Sequence, residues 1–464
     1  MSEPLIVGAM VRTLGAYPSG WRHPGAHRSP QTDAQILRRI ARLAEDADLD
    51  YLFFGDWLAT GPDLEFRDPY LLARIDPLSA VLYLAGITDR IGLIATVNST
   101  YADPYATARA TASLDVLTGG RGGVNLVTGA EPRAAGNHGR EAHADNETRY
   151  DRAEEFVRAL RLLWESWDAE AWVADADRGV LIDASGLRSA GFAGAHVRVE
   201  GALNVARPPQ GHPPIVHAGT SPRSRALAAS EADLALIAAA DPAAAAATRA
   251  ELRALAADSG RDPDDLKVIV PILPVVAETD AGARAIVARL LELVPIDDGR
   301  ELPAAFPATR SLAAFAAAAG VDPHHPAVAA AVDEAVPAEV AAGFTEQGAR
   351  TLEQVAAWTG RTAGGREPVT WRHLIAAHAV PANPVVGDAQ TVAGHLESWR
   401  NAGAADGFNV LSAFQPGQFE AFTALVVPEL RRRGLVGRSG ATLRERLSLG
   451  APRLQHADRS AVAV

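Results

Sequence analysis

The chain has 464 residues, 48% hydrophobic and 22% charged, which is typical of a globular protein with two or three domains or one barrel with insertions. Its net charge of −12 argues against nucleic acid and membrane surfaces as partners. The absence of cysteine excludes disulfides, thiolate nucleophiles and cysteine-ligated metals, and without a visible signal peptide or membrane span we expect a cytoplasmic protein.

Short apolar strands alternate with longer segments of helical periodicity. Thr32 and Gln35 have the spacing of a capping box, which predicts a helix ending near Asp48. Further helices are predicted near 77–86, 105–117 and 149–164, and from about 222. Strands are predicted at 5–10, 51–55, 91–96, 122–127, 214–218, 234–237, 267–273 and 407–411. Eight strands joined by helices favour an α/β fold, a (β/α)8 TIM barrel with insertions, over an open sheet.

Two stretches of the chain are additional to what a minimal barrel requires. Residues 165–212 contain glycine, proline and β-type patches and predict an insertion between the fourth and fifth strands. Residues 295–385 are rich in alanine and predict a helical insertion before the last strand–helix unit. We therefore predict one domain over residues 1–440 that carries both insertions, followed by a C-terminal tail over residues 441–464.

Polar residues follow several of these strands, at the end of a TIM barrel where active sites lie. They are Asp56, Trp57, Thr96, Asn98, Asn125, Thr128 and His217. We expect Asn125 and Thr128 to face a polar ligand at the barrel mouth, with Gly129 allowing close approach of the backbone. The alternative for Asn125 is a core amide that neighbouring backbone groups satisfy.

The segment HAGTSPRSRALAA (217–229) predicts a helix start with Ser221 as its N-cap and Pro222 as its first residue. Gly219 and Thr220 precede it with little bulk, and Arg223 follows. A helix N-terminus of this kind suits a phosphate group, although plain capping beside a solvated arginine is an alternative. The histidines lack the spacing of metal ligands, so no metal site is predicted.

Six segments, in order and over most of the chain, resemble the bacterial luciferase-like, flavin-dependent monooxygenases. The resemblance is greatest to the branch containing nitrilotriacetate, dibenzothiophene-sulfone and long-chain alkane monooxygenases. The segments are YPSGWRHP (17–24), YLFFGDWL (51–58), 92–129, 149–171, VEGALNVARPPQGHPPIVHAGTS (199–221) and 406–435.

The resemblance implies a TIM barrel that takes reduced FMN as cosubstrate from a separate NAD(P)H:flavin reductase. It implies a monooxygenase that activates O2 as a C4a-peroxyflavin and inserts one oxygen atom into a small organic substrate. It also implies a homodimer or a tetramer. Two alternatives are hydride transfer with the deazaflavin F420 and a flavin-binding paralogue without catalytic activity.

The resemblance also implies site residues. Asp56 and Thr96 would line the isoalloxazine side, and Tyr150 and Ser221 would contact the ribityl chain and phosphate. The other expected cofactor-binding residues are Asn98, Asn125, Thr128, Asn146, Gly219 and Thr220.

Three positions depart from the family pattern. Asn146 stands where the family commonly has a histidine, Asn98 replaces a small hydroxyl residue, and His217 replaces a glutamine. Because an amide cannot carry positive charge, His217 and His138 join Asn146 as candidate catalytic residues. The candidates for the substrate side are Trp21, His23, Trp57 and His138.

Overall fold

The computed structural model describes residues 3–60, 72–296, 311–325, 328, 332–380 and 383–455. In chain order its strands are β1 (Ile6–Met10), β2 (Tyr51–Phe54), β3 (Gly92–Asn98), β4 (Gly122–Val127), β5 (Trp172–Asp175), β6 (Val180–Ile182), β7 (Phe192–Ala193), β8 (Arg198–Val199), β9 (Ile215–Ala218), β10 (Leu234–Leu236), β11 (Lys267–Val276), β12 (Asn383–Gly387) and β13 (Gly407–Leu411).

Eight parallel strands close into a barrel in the order β1, β2, β3, β4, β9, β10, β11 and β13, and β13 pairs with β1. These are the eight strands that the sequence predicted, so the TIM-barrel prediction is confirmed. Strand β12 was not predicted, and it pairs with the second half of β11.

The described residues form sixteen α-helices, most of which connect barrel strands and make up the outer layer. They are α1 (Asp33–Asp46), α2 (Pro77–Ala85), α3 (Pro104–Thr118), α4 (Ala134–Asn137), α5 (Asn146–Trp164), α6 (Pro222–Glu231), α7 (Pro242–Asp258), α8 (Asp280–Leu293), α9 (Leu312–Ala319), α10 (Ala338–Ala341), α11 (Glu346–Thr359), α12 (Trp371–His378), α13 (Ala389–Asn401), α14 (Gly417–Ala421), α15 (Val427–Arg432) and α16 (Leu443–Arg446), with a π-helical stretch at Phe422–Val426. Within the described ranges, no helix combines the length and the apolar character of a membrane span.

Both long stretches carry structure additional to the barrel. Between β4 and β9, residues 165–212 form two antiparallel pairs, β5 with β6 and β7 with β8. The described part of 295–385 contains α9 to α12 and β12. Residues 297–310, 326–327, 329–331 and 381–382 of this stretch lie outside the described residues.

The capping box predicted at the start of α1 is wrong. Thr32 is the N-cap residue, but its hydroxyl makes no capping bond. It donates instead to the carbonyl oxygen of Ser29 at 3.0 Å and lies 3.2 Å from Nδ1 of His27. A local hydroxyl–backbone bond of this kind competes with capping, and sequence spacing does not reveal which bond forms.

The amino end of the barrel is closed by residues 443–449. Leu443, Leu447 and Leu449 join the apolar side chains inside the barrel, and a Cβ on Gly92 would overlap Leu443. Arg446 donates to the buried Asp50 at 2.8 Å. The domain boundary at residue 440 stays a prediction, but this part of the expected tail packs into the barrel. The opposite end of the barrel, at the carboxyl ends of the strands, is where an active site is expected in this fold.

Candidate active site

A cavity of about 390 Å³ opens at the carboxyl ends of β2, β3, β4 and β9. This volume lies within the roughly 300–1,000 Å³ that small-molecule sites occupy. Seven of the expected cofactor-binding residues line the cavity: Asp56, Asn98, Thr128, Tyr150, Gly219, Thr220 and Ser221. The structure therefore brings together residues that the sequence separates by more than 160 positions.

Thr96 and Asn125 are a register pair on neighbouring strands and lie beneath the cavity without lining it. They share the inward face of β3 and β4, because Ile94, two residues earlier on β3, belongs to the apolar interior. Nδ2 of Asn125 donates to Oγ1 of Thr96 at 2.9 Å, and both residues are buried. The amide is thus held by a hydroxyl rather than by backbone. Its Oδ1 has no hydrogen-bond partner among the described residues.

Asp56 follows β2 on the wall of the cavity. Its Oδ1 accepts a hydrogen bond from the backbone N–H of Trp57 at 2.7 Å, which fixes the carboxylate. Burial raises the pKa of Asp56 above its ordinary value, and the nearby carboxylate of Asp76 acts in the same direction. The group is therefore easier to protonate than a solvent-exposed aspartate.

The backbone after β4 turns at Gly129, where φ is +67°. A Cβ at this position would overlap Nδ2 of Asn98, so a side chain is excluded by both conformation and space. Asn98 is itself fixed, because its Oδ1 accepts from the backbone N–H of Thr100 at 3.0 Å. The glycine thus lets the end of β4 pack against Asn98 on the cavity wall.

The first turn of α6 faces the cavity through Gly219, Thr220 and Ser221. Oγ of Ser221 accepts from the backbone N–H of Ser224 at 3.1 Å, which confirms the predicted N-cap. The first turn has no acidic residue, and a Cβ on Gly219 would overlap Ser224. The positive end of a helix dipole beside a hydroxyl and a bare backbone fits a phosphate group.

Arg223 is ion-paired rather than solvated. It lies 2.6 Å from Asp151 and 3.3 Å from both Glu147 and Glu154. Its guanidinium also lies 5.9 Å from the ring centre of Tyr150, a cation–π distance. These contacts hold Arg223 to α5 and against the tyrosine that lines the cavity.

His217, one of the three catalytic candidates, does not line the cavity. It follows Val216, whose side chain lies inside the barrel, so His217 points outward toward the helices. Its Nδ1 lies 2.7 Å from the carbonyl oxygen of Leu126, and its Nε2 lies 3.0 Å from Oγ of Ser224. Burial lowers the pKa of His217, which favours the neutral ring.

The other two catalytic candidates are exposed and also lie off the cavity wall. His138 follows the short helix α4 and stacks on Tyr101 with 4.4 Å between the ring centres. Asn146 is the first residue of α5, where its Oδ1 accepts from Arg149 at 3.1 Å. Asn137, directly before His138, donates through Nδ2 to the carbonyl oxygen of Leu58 at 2.9 Å, and Leu58 lines the cavity, so His138 lies near the cavity.

The substrate-side candidates separate into two places. Trp57 lines the cavity. Trp21 belongs to a short 3-10 helix, Gly20–Arg22, and does not line it. His23 stacks on Phe414, three residues beyond β13, with 4.1 Å between ring centres. Trp21 and His23 therefore lie near the carboxyl end of β13, away from the cavity wall.

Sequence reasoning missed Glu131, which lines the cavity. Its two carboxylate oxygens accept from Nε and Nη2 of Arg133, each at 2.7 Å. The hydrogen bonds from Arg133 hold the pKa of Glu131 below its usual range. The available signal was its position three residues after Thr128, within the loop that follows a barrel strand.

The chain is similar to luciferase-like monooxygenases over most of its length. A family model described as luciferase-like monooxygenase matches residues 17–406. The chain is 33% identical to nitrilotriacetate monooxygenase component A of Aminobacter aminovorans, over 97% of this chain and 98% of the relative. It is 33% identical to dibenzothiophene-sulfone monooxygenase of Rhodococcus erythropolis, over 94% of each chain.

Among solved structures, EDTA monooxygenase from Chelativorans sp. BNC1 is similar with a TM-score of 0.73 and 27% identity. The match covers 97% of this chain and 99% of that one. The similarity therefore includes the barrel, the insertions and the strand ends that form the cavity. This chain belongs to the luciferase-like monooxygenase family.

Proposed function

We propose that the chain is the oxygenase of a two-component, FMNH2-dependent monooxygenase that inserts one oxygen atom of O2 into a small organic substrate of xenobiotic or secondary-metabolite type. The observation that carries the proposal is the position of the α6 N-terminus, which forms one wall of the cavity at the carboxyl end of a luciferase-like barrel. Reduced FMN, when bound, supplies the electrons that activate O2.

The residues of the cavity divide into two groups in this proposal. Gly219, Thr220 and Ser221 would hold the phosphate through backbone N–H groups and hydroxyls, and Tyr150 beside them would hold the ribityl chain. The residues Asp56, Asn98 and Thr128 would contact the flavin ring. Their support is that all of them line one continuous cavity.

The layer beneath the cavity would fix the geometry of the site. The Thr96–Asn125 pair would keep the floor below the ring rigid, because two buried strands are joined there by a side-chain hydrogen bond. His217 would act as a positioning residue, because it lies off the cavity wall and contacts Ser224 in the first turn of the helix that carries the phosphate site.

The proton chemistry is assigned to the rim. His138 is exposed and follows Asn137, which donates to the carbonyl oxygen of Leu58 on the cavity wall, so we assign it proton exchange on the substrate side. Asn146 would contribute hydrogen bonding only, by way of Arg149. Trp57, on the cavity wall, is the aromatic residue we assign to substrate contact.

A separate NAD(P)H:flavin reductase would supply the reduced flavin in the cytoplasm. The similar nitrilotriacetate monooxygenase is named as a component A, which supports a second component. We also propose a homodimer or a dimer-based tetramer. Its support is a set of exposed apolar side chains on and beside the helices α2 and α3, namely Leu82, Tyr83, Ile87, Val116 and Leu117.

Anaerobic titration with reduced FMN tests the proposal, followed by mixing with O2 and a panel of organic substrates. We expect binding at low-micromolar flavin and oxygenation of at least one substrate. No binding under these conditions would overturn the proposal. Binding without oxygenation of any substrate would indicate the non-catalytic paralogue, and turnover with F420 in place of FMN would indicate hydride transfer.

A further inference from the structure

A second cleft lies at the amino end of the barrel, opposite the candidate active site. It has a volume of about 370 Å³ and opens where β1, β11 and β13 begin. Five basic side chains line it: Arg249, Arg253, Lys267, Arg400 and Arg438. Three carboxylates line it as well: Glu3, Asp264 and Asp406. This basal cleft therefore has an excess of two positive charges in a chain whose net charge is −12.

Arginines already engage the carboxylates of the basal cleft. Asp406 accepts from Nη2 of Arg249 at 2.6 Å and from Nε at 3.1 Å, and it also accepts from a backbone N–H. Asp264 lies 2.8 Å from Arg253, and Glu3 lies 3.2 Å from Arg438. All three carboxylates of the cleft are thus already paired with arginine side chains.

Lys267 is only weakly paired with the carboxylates of the basal cleft. It is 5% exposed, yet its ammonium has a single ion pair among the described residues, 3.8 Å from Oε2 of Glu3. That carboxylate belongs to a side chain that is 60% exposed and also pairs with Arg438. Arg253, on the same cleft, pairs with Asp264 through Nη1 and lies 3.6 Å from Asp406 through Nη2, but its Nε has no hydrogen-bond partner among the described residues. A largely buried ammonium with one long ion pair is costly.

We propose that the basal cleft binds a small oxyanion with two negative charges, in contact with Lys267 and Arg253. A dianion matches the excess charge, offers acceptor oxygens to the ammonium of Lys267 and lies close to the positive guanidinium of Arg253. Inorganic phosphate and short dicarboxylates share this chemistry. The anion would join the start of β11 to α7 and the N-terminal segment, so its binding would stabilise the fold by mass action. This site is separate from the phosphate position proposed at Ser221.

Calorimetric titration of the full chain with inorganic phosphate, and separately with malonate, tests the site at an ionic strength matched with sodium chloride. Ser221→Ala serves as the background, so that phosphate binding at the helix N-terminus of α6 is weakened about tenfold. We expect saturable binding of at least one anion. The anion that binds shows whether the ligand class is a phosphate or a dicarboxylate. Lys267→Met should weaken this binding at least tenfold.

The control Arg178→Gln removes one positive charge from a residue whose side chain is 74% exposed and lies off the basal cleft. It should leave the affinity unchanged. The absence of binding by both anions, or equal binding by the Lys267→Met protein, overturns the proposal. If Lys267→Met does not fold, Arg253→Gln decides by the same criterion. None of these outcomes depends on whether the chain oxygenates a substrate.

Discussion

Nε2 of His217 lies 3.0 Å from Oγ of Ser224, and its Nδ1 lies 2.7 Å from the carbonyl oxygen of Leu126. Because a carbonyl oxygen only accepts, Nδ1 must carry the hydrogen, and in the neutral ring Nε2 then accepts from the serine hydroxyl. The lowered pKa of His217 agrees with this neutral tautomer. The imidazole therefore connects β4 through β9 to the first turn of α6.

Replacing His217 tests whether this connection positions the phosphate site. We expect His217→Leu to raise the Kd for reduced FMN about tenfold, since roughly 1.4 kcal/mol of positioning hydrogen bonds is lost. His217→Gln keeps a donor and an acceptor and should stay within about threefold of the wild type. Titration of both variants measures the difference. Equal losses in the two variants would contradict a role through hydrogen bonding.

Replacing Ser221 tests the phosphate assignment directly. Ser221→Ala removes the hydroxyl from the helix N-terminus and should weaken FMN binding about tenfold, because hydrogen bonds to charged groups contribute about 1.5 kcal/mol or more. Binding of riboflavin, which lacks the phosphate, should not change. The lost N-cap should also lower the free energy of unfolding by about 1 kcal/mol.

Thr279→Ala is the matched control for that experiment. Thr279 caps α8 by accepting from the backbone N–H of Gly282, and it does not line the active-site cavity. It should cost similar stability and leave FMN affinity unchanged. A parallel loss of riboflavin and FMN binding in Ser221→Ala would indicate general disruption of the site instead of phosphate recognition.

Sequence patterns predicted the barrel well because each strand is a short apolar run between helices, and this signal is local. The N-cap at Ser221 was predictable for the same reason. The direction of His217 was not, because a shift of one residue in the strand register sends a side chain to the opposite face. The sequence also did not indicate that Leu443 closes the base of the barrel. Its segment forms a helix of four residues, and its partners lie hundreds of positions earlier.

The base of the barrel should depend on Leu443. Its side chain is 1% exposed and packs among the interior residues of the barrel. We expect Leu443→Ala to lower the free energy of unfolding by about 2–5 kcal/mol, as cavity-forming leucine substitutions do. Chemical denaturation measures the change. Leu454→Ala, at a side chain 44% exposed, is the control and should stay within about 0.5 kcal/mol of the wild type.

Asp56 should couple flavin binding to pH. Its pKa is raised by burial, and a bound flavin would exclude more water from the cavity and raise this pKa further. Binding should therefore take up a proton, so the affinity for reduced FMN should be highest at low pH. It should fall as pH rises through the raised pKa of the free protein, and Asp56→Asn should flatten this dependence because its amide stays neutral.

The raised pKa of Asp56 also determines how the stability of the fold depends on pH. A carboxyl group whose pKa is raised on folding stabilises the fold most below its ordinary pKa of 3.8, and this contribution is lost as pH rises through the folded value. Asp56→Asn should therefore be the more stable protein at about pH 8, where the buried charge penalises the wild type. Titrations and thermal unfolding between about pH 3.5 and about pH 8 measure both effects. Asp175→Asn, on the β5–β6 pair, is the control, and an unchanged pH profile in Asp56→Asn would remove Asp56 from the flavin site.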